Sequence, residues 1–275
     1  MFSCIAYLTM KRAKPIITTI GKGKPAVAVV AAMHGNESSA VIIKKLKKNI
    51  VLQKGRVDFI VANPQALEKK VRYIDADLNR VFPGHRNGNS EEQLAYQLVK
   101  IGFFYDVVLD LHTCSMESEP FCIIRSENGK QIELAGKTGL SNIVIYPKEI
   151  QKGESFIDYV SCGIGLELGL HGKKETTVSG YNAVIQILQS LGMVGRSLEK
   201  VEYKNPRIFR VESHLSHSKA FNPSNKIRNF TLIKKDEILG SNKRSVRKAK
   251  YEFYPIMYRQ KSYGNILCWV AQRIK

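Results

Sequence analysis

The chain has 275 residues, of which 44% are hydrophobic and 24% charged, so it can bury a sizeable core and has the composition of an ordinary globular protein. No segment approaches the roughly 20 consecutive apolar residues of a membrane-spanning helix, and the sequence predicts no membrane partner. The five cysteines include no Cys-x-x-Cys pair, which argues against a disulfide framework and a thiolate zinc site. Residues 1–10 lack the features of a signal peptide, and we expect a cytoplasmic protein with reduced thiols.

The net charge of +19 raises the question of an anionic partner. The basic residues are scattered along the chain, and only residues 241–250 (SNKRSVRKAK) form a dense basic run. That run has no interleaved aromatic residues, which nucleic-acid-binding surfaces use for base stacking. We therefore interpret the charge as a lysine-rich surface that attracts small anions, and nucleic acid is the disfavoured partner.

Apolar segments of strand length alternate with amphipathic segments of helix length through the first two thirds of the chain. The predicted strands are 26–33, 56–63, 106–112, 121–125, 142–147 and 164–169. The predicted helices are 38–50 (with Ser38 as N-cap), 91–103, 128–138 and 175–192. This alternation predicts an α/β fold with a mostly parallel mixed sheet that helices cover on both faces.

The pattern changes after about residue 195, where short β-like runs and turns replace the helical periodicity. We therefore predict a first domain over residues 1–195 and a smaller β-rich C-terminal domain over residues 196–275.

Polar side chains follow several predicted strands directly. They are His34 with Glu37, Asn63, His112 and Glu167. Because ligands bind beyond the carboxyl ends of strands in open α/β sheets, these side chains are the candidates for a functional site.

His34, Glu37 and His112 make up the donor set of a catalytic zinc site, which commonly has two histidines, one glutamate and an open position. Gly35 and Asn36 allow a turn that directs His34 and Glu37 toward one point. Asp110 lies on the same face of its strand as His112, as carboxylates that support a ligating imidazole often do. Each of these residues alone would be read as structural, since a lone histidine at a strand end is usually only hydrogen-bonded.

The polar loop that follows the second predicted strand concentrates arginine and acidic residues in the string RYIDADLNR, residues 72–80. An arginine can grip a carboxylate with two hydrogen bonds, and an asparagine can add a further donor. A second arginine could polarise a carbonyl and stabilise an oxyanion.

The motifs HGNE (34–37), NPQA (63–66), RYIDADLNRVF (72–82), DLH (110–112) and GLELG (165–169) occur in that order. Together they resemble the aspartoacylase / succinylglutamate desuccinylase family, a branch of the zinc carboxypeptidase-like hydrolases. The match spans most of residues 26–170, and RYIDADLNR with HGNE upstream is its most specific part.

The resemblance implies one Zn²⁺ per chain, held by His34, Glu37 and His112, and a catalytic carboxylate at Glu167. It further implies that Arg72 polarises the scissile carbonyl and that Asn79 and Arg80 grip a substrate carboxylate. Asp77 matches a structural partner within the loop. In the C-terminal part, YPIMYRQKSYGN resembles the segment that supplies a substrate-contacting tyrosine, here Tyr263.

The sequence departs from the family at one point. Members that act on N-acetylaspartate carry a further substrate-binding arginine about ten residues before the catalytic glutamate. Residues 153–167 (GESFIDYVSCGIGLE) contain none, and Lys148 or Lys152 would be the substitutes.

The favoured function is a zinc-dependent deacylase acting on a small anionic N-acyl amino acid, N-acetylaspartate-like or N-succinylglutamate-like. The alternatives are a carboxypeptidase-like peptidase that uses the same site, a basic nucleic-acid-binding protein on a relic hydrolase fold, and a metal-dependent binding module. The sequence is also compatible with a homo-oligomer.

Overall fold

The computed structural model describes residues 13–127, 129–151, 154–195, 205–260 and 264–275. The strands are β1 (Ile16–Lys22), β2 (Ala26–Ala31), β3 (Gly55–Val61), β4 (Val107–Cys114), β5 (Phe121–Ile124), β6 (Asn142–Ile145), β7 (Gly163–Leu170), β8 (Arg207–Ser216), β9 (Asn222–Pro223), β10 (Ile238–Ser241), β11 (Val246–Lys248), β12 (Tyr254–Ile256) and β13 (Ile266–Arg273). The helices are α1 (Ser39–Asn49), α2 (Pro64–Lys69), α3 (Ser90–Gly102), α4 (Gly129–Gly136), α5 (Lys148–Gln151) and α6 (Lys174–Ser190), with 3₁₀ helices at Leu78–Arg80 and Phe156–Tyr159.

Ten strands form one sheet in the order β1-β3-β2-β4-β7-β5-β6-β8-β13-β12. The strands are parallel from β3 through β2 and β4 to β7, and again from β5 through β6 to β8. Strand β5 runs antiparallel to β7, so it reverses the direction of the sheet in its middle. A small antiparallel sheet of β9, β10 and β11 is separate. The predicted mixed α/β fold class is confirmed.

Strand β2 shows why the sheet is covered on both faces. All six of its residues are buried, and alternate side chains belong to different clusters. Val27 and Val29 pack in the cluster that includes residues of α1 and α6, whereas Ala28 and Val30 pack with residues of α3. Since successive side chains of a strand point to opposite faces, a continuous apolar run is the sequence of a strand buried on both sides.

Local differences from the sequence prediction have simple causes. Helix α2, which directly follows the predicted strand 56–63, was not predicted. It begins at Pro64, because proline suits the first position of a helix and Asn63 caps it. Ser38 does occupy the N-cap position of α1, but its side chain does not cap the helix. Its hydroxyl accepts a hydrogen bond from the Gly172 backbone N–H instead.

The C-terminal part is rich in strands, as expected, and β8, β12 and β13 extend the same central sheet. The division at residue 195 stays a prediction. The four cysteines within the described ranges are free, and no helix found there is long and apolar enough to cross a bilayer.

Candidate metal and substrate site

The turn after β2 positions His34 and Glu37. Ala32 takes up a left-handed backbone conformation (φ 54°), which ends the strand and turns the chain toward α1. Gly35 lies directly against α2, and a Cβ at this position would come within 2.0 Å of the Ala66 carbonyl carbon. A glycine is therefore required, and close packing on α2 fixes the turn that carries both side chains.

The side chains of His34, Glu37 and His112 meet in a buried cluster. His34 Nδ1 lies 2.6 Å from Glu37 Oε1, and His112 Nδ1 lies 3.3 Å from Glu37 Oε2. One ligand atom from each residue lies within 4.8 Å of the others. These two imidazole nitrogens and one carboxylate could thus hold a single metal ion between them.

Carboxylates hold the outer nitrogens of both imidazoles. His34 Nε2 lies 3.0 Å from Asp77 Oδ1, and His112 Nε2 lies 3.0 Å from Asp110 Oδ2. Metal-ligating histidines generally donate their second N–H to such a group, which fixes the tautomer and aims the other nitrogen at the metal. This arrangement and the two-His, one-Glu donor set both fit zinc.

The electrostatics of the cluster also suit a cation. Burial opposes ionisation of both Glu37 and His112, yet the imidazoles of His34 and His112 hold the pKa of Glu37 well below its usual range. The carboxylates of Asp110 and Glu37 raise the pKa of His112 well above its usual range, again against burial. The carboxylates of Glu37 and Asp110 therefore place negative charge on both sides of the His112 imidazole.

The loop that carries RYIDADLNR folds over this cluster. Arg72 donates from Nε to Asp77 Oδ2 at 2.8 Å and lies 3.7 Å from Glu37 Oε1 through Nη1. Asn79 Nδ2 lies 3.2 Å from His112 Nε2, and the Arg80 side chain donates to the Asn79 backbone carbonyl at 2.7 Å. Arginine donors thus lie beside the cluster.

Glu91 of helix α3 holds this loop in place. Its side chain is fully buried and accepts hydrogen bonds from Asn63 Nδ2 and from the backbone N–H groups of Ile74, Asp75 and Ala76. Asn63, which the sequence marked as a candidate site residue, therefore caps α2 and supports the loop.

Glu167 lies on β7 opposite His112 of the adjacent parallel strand β4. Burial and then the charge of Glu37 raise its pKa, although His112 opposes the shift. Cys114 donates from its thiol to Glu167 Oε2 at 3.3 Å, and burial beside that carboxylate raises the thiol pKa well above its usual range. Cys114 is thus a protonated donor to Glu167 rather than an activated nucleophile.

A further group of residues, centred on Arg125, lines the same cavity as the candidate metal cluster and was not predicted from the sequence. Arg125 follows β5 and pairs with Asp158, Nε to Oδ1 at 2.9 Å and Nη2 to Oδ2 at 3.1 Å. Its Nη2 also donates to Ser155 Oγ, and its guanidinium carbon lies 5.7 Å from the centre of the Tyr146 ring. The predicted strand 121–125 included Arg125 as its last residue, whereas β5 ends at Ile124, so Arg125 was not among the polar residues predicted to follow a strand.

Two further side chains at the cavity also escaped the sequence prediction. The Nδ1 atom of His171 lies 2.7 Å from Thr113 Oγ1. The side-chain oxygen of Gln260 accepts hydrogen bonds from the backbone N–H and the hydroxyl of Ser115. Gln260 brings the C-terminal part of the chain to the end of β4. His171 lies in no motif, and Gln260 lies in the segment YPIMYRQKSYGN, of which only Tyr263 was singled out from the sequence.

One cavity of about 450 Å³ brings most of the predicted site residues together. It is lined by His34, Glu37, Arg72, Asn79, Arg80, Asp110, His112 and Glu167. Asp77 supports it through His34 and Arg72. Tyr263, Lys152 and the side chain of Lys148 lie outside what the structure describes.

The sequence model of the Succinylglutamate desuccinylase/Aspartoacylase catalytic domain matches residues 23–186. The chain belongs to this family. A "Succinylglutamate desuccinylase" from Shewanella piezotolerans is 26% identical over 267 residues, covering 84% of this chain and 77% of the relative. A "Probable aspartoacylase" from Prochlorococcus marinus (strain MIT 9312) is 27% identical over 206 residues, 68% of each chain.

The fold is also that of solved structures of the family. A succinylglutamate desuccinylase/aspartoacylase from Rhodobacter sphaeroides superposes with a TM-score of 0.74 at 19% identity, covering 94% of this chain and 89% of the other. The resemblance to this family that the motifs indicated is confirmed.

Proposed function

We propose that the protein is a zinc-dependent deacylase that hydrolyses the amide bond of a carboxylate-bearing N-acyl amino acid. The observation that carries the proposal is the buried cluster of His34, Glu37 and His112 with Glu167 on the neighbouring strand. Family membership supports the same reaction class. The arginine-rich loop beside the cluster supplies groups that recognise an anionic substrate.

His34 Nδ1, Glu37 and His112 Nδ1 would hold the zinc ion. When bound there, zinc supplies Lewis acidity that lowers the pKa of a coordinated water to about 7 and polarises a carbonyl oxygen. Asp77 and Asp110 accept from the outer nitrogens of the two imidazoles and keep each ring in the tautomer that leaves Nδ1 available.

Glu167 is the general base and then the general acid of this proposal. Its carboxylate takes a proton from the attacking water and delivers it to the leaving amine nitrogen, so that the amide is converted to a carboxylate and an amine. The Cys114 thiol donates to Oε2 and fixes the carboxylate. Burial favours the protonated form of Glu167, which helps the second of the two transfers.

Arg72 and the pair Asn79 and Arg80 have separate roles. Arg72 is held by Asp77 next to Glu37, where its guanidinium donates to the carbonyl oxygen of the scissile amide as negative charge develops there. Asn79 and Arg80 grip a carboxylate of the substrate.

The test is a substrate panel on zinc-loaded protein: N-acetylaspartate, N-succinylglutamate and neutral N-acyl amino acids, against short peptides with free C-termini. We expect release of free amino acid from one or more N-acyl substrates and no peptide cleavage. Cleavage of peptides alone would support the carboxypeptidase-like alternative. Protein that neither retains zinc nor gains activity from added zinc would contradict the proposal.

A further inference from the structure

The cavity continues past Glu167 along the face of the sheet into a region we call the inner subsite. Its lining residues are Ile123, Arg125, Tyr146, Ile157 and Gly165. None of them holds the metal cluster or belongs to the RYIDADLNR loop. They come from β5 and the residue after it, from β7, from the residue after β6 and from the 3₁₀ helix Phe156–Tyr159.

The backbone of Gly165 opens the inner subsite next to Glu167. The two residues lie on the same face of β7, about 7 Å apart along the strand. Ile123 is the register partner of Gly165 across the antiparallel pair. A Cβ at Gly165 would lie 3.4 Å from Ile123 Cβ and 3.7 Å from Ile157 Cδ1, so aliphatic side chains flank the space that a longer side chain at this position would fill.

The charge of the inner subsite is already compensated. Arg125 is the one cation that lines it within the described parts of the chain, and it forms a two-point ion pair with Asp158. The pair is deeply buried, with side-chain exposures of 5% and 2%. The guanidinium also donates to Ser155 and lies near the Tyr146 ring. Its N–H groups are therefore directed at protein partners, and arginine and aspartate together carry no net charge.

A second substrate carboxylate would meet unfavourable conditions here. It would lose its water against Ile123 and Ile157 and approach a guanidinium that the Asp158 carboxylate already holds. An aliphatic or aromatic group would instead gain contact with the isoleucines and the Gly165 backbone. The arginines that bind an anion in the proposed function, Arg72 and Arg80, belong to the RYIDADLNR loop instead.

We propose, on the basis of the deacylase function above, that the inner subsite receives an uncharged, mainly apolar group of the substrate. The preferred substrates are then N-acyl amino acids with a single carboxylate, the one held by Asn79 and Arg80. N-acetyl-leucine represents this class, and N-acetylaspartate is its nearly isosteric acidic counterpart.

The first test measures binding separately from turnover. Zinc-loaded Glu167→Gln protein is titrated calorimetrically with N-acetyl-leucine and with N-acetylaspartate. We expect N-acetyl-leucine to bind at least about tenfold more tightly, a discrimination that pocket contacts to one group commonly provide. Equal binding, or tighter binding of N-acetylaspartate, would overturn the inference. If the wild-type protein hydrolyses none of the substrates, the proposed function is contradicted. The binding ratio still tests the inner subsite, because it is measured without turnover.

The second test changes the charge of the inner subsite. Ile157→Arg adds a cation without a partner, and Ile157→Met is the matched neutral control. In folded protein, confirmed by circular dichroism, Ile157→Arg should shift the binding ratio at least about tenfold toward N-acetylaspartate, whereas Ile157→Met should keep the wild-type preference. An unchanged ratio in folded Ile157→Arg would show that Ile157 does not face the substrate and would overturn the inference. If Ile157→Arg does not fold, the binding ratio that the first test measures on Glu167→Gln protein decides.

Discussion

The two sides of the cavity are built in different ways. The candidate metal cluster and the RYIDADLNR loop contain charged and polar side chains that neighbouring carboxylates hold in fixed orientations. The inner subsite consists of aliphatic side chains, a bare glycine backbone and one compensated ion pair. In the function that we propose, the first side performs the chemistry and the second selects the group that accompanies it.

Replacing a metal ligand should have the largest effect. In His112→Ala the cluster loses one imidazole, so zinc content should fall from about one ion per chain toward zero and activity should vanish. Metal analysis of the purified protein measures this. His85→Ala is the matched control, because His85 is an exposed histidine outside the cavity. Full zinc retention in His112→Ala would show that His112 is not a zinc ligand, and the contrast between a metal-binding side and an apolar side of the cavity would then be wrong.

Replacing Glu167 separates chemistry from metal binding. Glu167→Gln keeps the size of the side chain but loses its basic carboxylate, so kcat should fall by about 10²- to 10⁴-fold while zinc stays bound. Steady-state kinetics and metal analysis on the same preparation measure both quantities. Glu175→Gln, at an exposed position of α6, should behave as wild type. A kcat within a few-fold of wild type would exclude Glu167 as the base.

Asp110→Asn tests the support of the ligands and should have an intermediate effect. It removes the carboxylate that lies 3.0 Å from His112 Nε2, so zinc affinity should fall by about 10- to 100-fold. Competition with a chelator measures that affinity. An unchanged affinity would mean that the orientation of His112 does not depend on Asp110.

Asp158→Asn should have the smallest effect on turnover and a large effect on stability. It leaves the buried Arg125 without its counter-charge, which costs about 3–5 kcal/mol in the free energy of unfolding. Urea denaturation measures this, with exposed Asp236→Asn as the control. For N-acetyl-leucine we expect kcat to stay within tenfold of wild type, since no reacting group has changed. A much larger loss of kcat in folded protein would show that Arg125 and Asp158 contribute to the reaction itself. The two sides of the cavity would then not have separate roles.

The residues that could be predicted from the sequence are those with a strong local pattern. The fully buried run of β2 followed by His34 and Glu37, and the polar His112 at the end of an apolar strand, mark a sheet edge and a donor set. The predicted sheet and helices followed from the same periodicity. These signals are local because each depends on a few neighbouring residues.

The inner subsite could not be predicted in this way. Ile123 and Ile157 look like ordinary core residues, and nothing in the spacing of Arg125 and Asp158 joins two positions 33 residues apart. The missing information was the direction of β5. Only when it runs antiparallel to β7 does Ile123 stand opposite Gly165. Strand pairing is a tertiary property, and an apolar run of four residues does not specify it.

The reversal at β5 has an evolutionary consequence. The reversal places Ile123 of β5 opposite Gly165. Ile123 and Ile157 belong to β5 and to the 3₁₀ helix Phe156–Tyr159, and neither element carries a proposed zinc ligand or the proposed base. If the inner subsite binds the substrate as we propose, mutations at Ile123 or Ile157 alter substrate preference while the proposed zinc ligands and base stay intact. Related hydrolases could then diverge in substrate preference by exchanging a few aliphatic side chains. Two proteins that share every motif of this chain need not share a substrate.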